Sequence, residues 1–133
     1  TGVAVGTTTI RATSTVDAGK VGASAVTVKA AAVQSVSVQP SSLSLVVGAT
    51  ATAAATVNRD AGAVGTVTWA SNNATVASVN ATSGLITANA IGTAVITATS
   101  DADPSKAGAL AVTVTAQPMA LQSLTVTPQV ITI

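Results

Sequence analysis

The chain has 133 residues, a net charge of +1 and only 1% aromatic residues, and His, Cys and Glu are absent. Without thiols there is no disulfide framework and no thiolate metal site. Sparse, unclustered charge (Arg11, Lys20, Lys29, Arg59 and Lys106 against Asp17, Asp60, Asp101 and Asp103) excludes a phosphate-reading surface, which needs grouped Lys and Arg.

No run of about eighteen apolar residues marks a membrane helix. Hydrophobic content is 48%, mostly Ala and Val, so the expected core is thin and built from small side chains. Thr, Ser, Asn and Gln must coat the surface. The sequence carries no signal-peptide pattern at Thr1 and reads as part of a longer chain.

Internal repetition organises everything else. Val5–Ser14 aligns with Ile91–Ser100 at an offset of 86, which continues through Lys20/Lys106, Gly22/Gly108, Val26/Val112 and Val28/Val114. Val33–Pro40 aligns with Leu121–Pro128 at an offset of 88. The expected organisation is the F–G hairpin of a preceding repeat (1–31), one whole repeat (32–116) and the A and A′ strands of a following repeat (117–133).

Val, Thr and Ile crowd the chain and the apolar period is two, so strands are expected throughout. In the whole repeat, strand A is expected at 34–39, ended by Pro40, which lacks the N–H for a ladder. A′ follows at 42–47 with Leu43, Leu45 and Val47 on one face, and B at 49–57 after Gly48. Asn58–Gly62 has loop chemistry. C is expected at 65–70 with Val67 and Trp69 inward, D at 75–80 and E at 85–89. F is expected at 93–99 with Ala94, Ile96 and Ala98 inward, and G at 108–115 with Leu110, Val112 and Val114 inward. Short strands at this spacing fit an all-β Greek-key sandwich.

The series Val33–Pro40, Leu45–Gly48, Val67–Asn73, Val76–Val79, Ser83–Ala88, Gly92–Ser100 and Ala111–Val114 resembles the bacterial immunoglobulin-like group 2 (BIG2) domain. The resemblance covers the whole repeat and both partial copies. It implies immunoglobulin-like sandwiches in tandem arrays, as in intimin- and invasin-type adhesins, other bacterial surface proteins and phage virion proteins, with no shared catalytic residues. It also places Trp69 in the core.

Catalysis is not expected, because general acid–base work would fall to four Asp and three Lys and no Gly-x-Ser-x-Gly elbow is present. No cofactor is expected. Asp101 and Asp103 are weak Ca²⁺ candidates, the plainer reading being a solvated loop. Asn73-Ala74-Thr75 and Asn80-Ala81-Thr82 are glycosylation sequons read as turns. Lys106 is a poor isopeptide donor, lying in an expected loop.

The expected core comprises Trp69, Val67, Ile96, Val112, Val114 and Leu45. Ile10, Val26, Val28, Leu124, Val126, Ile131 and Ile133 are candidates for assembly, since the partial repeats leave apolar faces that need partners. Neighbouring repeats are the expected partners, completed in a continuous chain or by strand exchange between copies. A host-surface or glycan ligand is a further candidate partner; nucleic acid and membrane insertion are not expected. The expected role is an extracellular spacer in a bacterial surface protein or fibre. A virion decoration, a strand-exchanged filament subunit and a carbohydrate-binding module are the alternatives.

Overall fold

The structure, a computed structural model, describes residues 4–120 and Ser123. All its regular elements are strands. A hairpin comes first: β1 (Gly6–Thr13) pairs antiparallel with β2 (Val21–Val28). Then β3 (Val33–Gln39), β4 (Ser42–Val46), β5 (Thr50–Thr52), β6 (Ala54–Arg59), β7 (Val67–Ser71), β8 (Ala77–Val79), β9 (Leu85–Ala88), β10 (Gly92–Ser100) and β11 (Ala107–Thr115) build one sandwich.

One sheet has the order β4-β11-β10-β7. The facing layer consists of the pair β3-β6 and the three-stranded β5-β9-β8. The chain therefore changes layer between β3 and β4, at Pro40. The pairing of β4 with β11 is parallel, from Ser42 beside Ala111 to Val46 beside Thr115.

Period-two alternation produces the core directly. In β10, Ala94, Ile96, Ala98 and Ser100 point inward and are buried; in β11, Leu110, Val112 and Val114 do the same. Val36 and Val38 of β3, Ile86 and Ala88 of β9, and Trp69 of β7 meet them. Each fully buried Ile, Leu or Val contributes roughly 1.5–3 kcal/mol. That is how a core with a single aromatic ring is assembled. Val67 and Leu45 are half-buried and pack against its margin.

Gly84 is fixed by this packing. Its φ is +70°, and an added Cβ would lie 2.8 Å from the Ala53 carbonyl and 2.9 Å from Trp69 Cε2. Only glycine satisfies both the left-handed backbone and the close ring.

The expected continuous strand B is two strands. Ala53 is buried, and its N–H donates to the Gly84 carbonyl (3.0 Å) between the two ladders. Before it, β5 pairs with β9; after it, β6 pairs with β3 and runs two residues beyond the expected end, to Arg59. One strand thus serves two partners. The other strands lie within about two residues of their expected limits, the usual uncertainty of element ends.

Candidate functional site

The two hairpins have the same register. In β1-β2 the pairs run from Gly6/Val28 to Thr13/Val21; in β10-β11 they run from Gly92/Val114 to Thr99/Ala107. Every pair of the first becomes the corresponding pair of the second when 86 is added to both numbers.

The loops match as well. Ser14 N–H donates to the Lys20 carbonyl (3.0 Å), as Ser100 N–H does to that of Lys106 (2.9 Å). Lys20 N–H donates to the Asp17 carbonyl (3.0 Å), as Lys106 N–H does to that of Asp103 (2.9 Å). Asp17 Oδ1 accepts from Gly19 N–H at 2.9 Å, and Asp103 Oδ1 from Ser105 N–H at 3.0 Å.

What differs is the cover. Ile96 is 0% exposed and its counterpart Ile10 is 61% exposed. Val112 and Val114 are buried, whereas Val26 and Val28 are half-buried. Gly108 lies under β3: an added Cβ there would sit 2.9 Å from Val38 Cγ2 and 3.0 Å from the Val36 carbonyl. At Gly22, its counterpart, an added Cβ would meet nothing within 4 Å. The β1-β2 face therefore keeps Ile10, Ala12, Val26 and Val28 at the covered positions, with Thr8 and Ser24 in place of Ala94 and Leu110, and lacks the cover.

Of the sequence-selected assembly residues, the structure brings Ile10, Val26 and Val28 together on this hairpin. Leu124, Val126, Ile131 and Ile133 lie outside the described residues.

Asp101 and Asp103 turn to different partners. Asp101 is exposed and accepts from the hydroxyls of Thr66 and Thr68 (2.7 Å to Thr68 Oγ1), which hold its carboxyl below the usual carboxylate range. Asp103 accepts from the Ser105 hydroxyl (2.6 Å) and N–H, is held low by them, and gains a smaller contribution from the Lys106 charge. Among the described residues no third acidic, His or Cys side chain joins them as a metal-holding group. A shallow groove beside Asp101 is lined by Thr66, Thr68, Ala81 and Thr82. Both sequons lie at turns. Asn80 Oδ1 accepts from the N–H groups of Thr82 (3.0 Å) and Ser83 (2.9 Å), and the Asn73 carbonyl accepts from those of Val76 and Ala77. Trp69 is buried and presents no ring face for a sugar.

Sequence reasoning missed Asp60. Its Oδ2 accepts from Ala32 N–H (3.1 Å), its own N–H donates to the Ala32 carbonyl (2.9 Å), and Oδ1 accepts from Gln34 Nε2 (3.3 Å). The linker entering the sandwich is tied down by a loop 28 residues away. A lone Asp in turn-rich sequence gives no signal of such reach.

The model of the bacterial Ig-like domain (group 2) family matches residues 32–110. The chain belongs to this family. Two solved structures are similar to this group 2 Ig-like chain. One is surface layer protein SbsC, domains 1–6, with 23% identity and a TM-score of 0.64 over 88% of this chain and 17% of that one. The other is the S-layer protein rSbsC, with 24% identity and a TM-score of 0.64 over 89% and 18%. The group 2 Ig-like chain thus spans less than a fifth of these two proteins' length, and the likeness is one of fold. No curated protein matches it.

Proposed function

We propose that this chain is a non-catalytic structural module, a spacer in a bacterial cell-surface or extracellular protein built from tandem Ig-like repeats. Residues 32–116 form one repeat, 1–31 are the last hairpin of the repeat before it, and 117–133 begin the next. The observation that carries this reading is the residue-for-residue register shared by β1-β2 and β10-β11. Family membership and the fold shared with surface layer proteins support a surface role.

In such an array each repeat contacts mainly its neighbours, so stiffness resides in the joints. The Asp60 bonds to Ala32 and Gln34 stiffen the first joint. The second joint, Ala116–Ala120, contains Pro118 and is longer, and would bend differently.

Electron microscopy of the native assembly, labelled with an antibody against the 32–116 sandwich, tests the proposal. Label along beaded threads outside the cell is the expected result. Label confined to the cell interior would overturn it.

A further inference from the structure

The uncovered face of β1-β2 carries a specification of what should cover it. In the sandwich, two successive strands flank the equivalent hairpin, β3 across its face and β4 beside β11, while β8 and β9 complete the facing layer. Val36 and Val38 of β3 pack over it, tightly enough that Gly108 has no room for a Cβ. Leu43 and Leu45 of β4 run parallel to β11, beside Val112 and Val114. The sequence contains a second version of this strand pair. At the offset of 88, Leu124 and Val126 take the places of Val36 and Val38, and Ile131 and Ile133 take those of Leu43 and Leu45.

We infer that residues 121–133 of one copy dock on the β1-β2 hairpin of a second copy, adding a strand parallel to β2. The two offsets fix the register: Val130 opposite Ala25, Ile131 opposite Val26 and Ile133 opposite Val28. Main-chain bonds along β2 supply affinity, and the alternate apolar side chains supply specificity. The donor segment and the acceptor hairpin are different surfaces, so the contact is heterologous and propagates from copy to copy.

Gly22 argues independently for a β3-like strand across this face. Its backbone is not in the left-handed region and nothing presses on it here, so a strand would be better served by a larger residue. A glycine is what this position needs once a β3-like strand lies across it, as at Gly108. The inference rests on the repeat reading above, and adds that the neighbour is a second molecule.

Paired cysteines test it in the native assembly, where these 133 residues contribute no thiol to interfere. Ala25→Cys with Val130→Cys sits at the outward positions held in the sandwich by Ala111 and Ser42, so the apolar face is untouched. Adjacent strands bring such residues within disulfide range, whereas Ala23→Cys with Val130→Cys is out of register, so the first pair should give about tenfold more covalent oligomer on mild oxidation. Adding Gly22→Val should abolish that excess, because the new side chain meets nothing in the hairpin itself but blocks the strand above it.

A cyclised monomer, no covalent oligomer, equal yield from the two cysteine pairs, or indifference to Gly22→Val would each overturn the inference. Those results leave the surface-spacer reading standing if antibody label still marks threads outside the cell. The hairpin would then be covered by its own polypeptide.

Discussion

The two hairpins of this protein separate what local sequence decides from what packing decides. β1-β2 and β10-β11 share register, loop hydrogen bonds and most residue types, yet one is bare and the other lies at the centre of a core. Pairing and loop geometry are encoded within about twenty-five residues. Burial is not, because it depends on β3 and β4 from elsewhere in the chain. An isolated two-stranded hairpin is marginal in water, so the same sequence pattern is stabilising in one place and a demand for a partner in the other.

The sharpest way to break this comparison is to truncate the matched isoleucines. Ile96→Ala should cost about 2–5 kcal/mol, as for large-to-small changes in a sealed core. Ile10→Ala should change the sandwich's stability by less than about 0.5 kcal/mol. Urea unfolding followed by the fluorescence of Trp69 measures both, since the single Trp reports on the sandwich alone. Equal losses would mean that the hairpins share one cooperative unit.

The matched glycines give a smaller contrast. Gly108→Val drives a side chain into Val38 and the Val36 carbonyl and should cost about 1–3 kcal/mol or more. Gly22→Val should leave the same urea midpoint unchanged. A third pair is the loop serines. Ser100 Oγ is buried and accepts from Asp103 N–H (3.3 Å), so Ser100→Ala should cost about 1 kcal/mol. Ser14 Oγ accepts from Asp17 N–H (3.1 Å) in full solvent, where water replaces it, and Ser14→Ala should be nearly silent by thermal melting.

The smallest effect is that of pH. Asp101 and Asp103 have carboxyl groups held below their ordinary 3.8 by hydroxyl and N–H donors. A depressed folded value means that the stabilisation is fully present above the unfolded value and is lost as pH falls through the folded one. Stability should therefore be flat with respect to these groups near neutrality and decline slightly below about pH 4. Asp101→Asn should shallow that decline in urea titrations at successive pH values. Thr15 stands at the position of Asp101 in the bare hairpin, so this contribution belongs to the covered one.

Much of the fold was legible because alternation is a local signal. The inward faces of β10 and β11 can be read from Ala94 to Val114, and the 86-residue repeat from sequence comparison alone. The sequence resemblance also led to the family whose model matches 32–110. Features that depend on distant partners were not legible. The break at Ala53 exists because the Gly84 carbonyl captures its N–H, and nothing in the alternating Ala and Thr around it announces that. Asp60 looks like any loop acid until Ala32 is seen beside it. Equally, Ile10 and Ile96 cannot be ranked by burial from their neighbours in sequence.

The parallel pairing of β4 with β11 has a mechanical consequence. Tension applied across the sandwich reaches β3 first and, once β3 has peeled from β6, acts on the start of β4 and the end of β11. Ser42 lies beside Ala111 and Val46 beside Thr115, so the two pulled ends are at opposite ends of one ladder. The load is then shared by the whole row of bonds at once, extended by the Val47 N–H to the Thr115 carbonyl and the Ala111 N–H to the Ser41 carbonyl. With β3 released, stretching must shear this row before the remaining strands unravel, whereas force across a hairpin end opens one bond at a time.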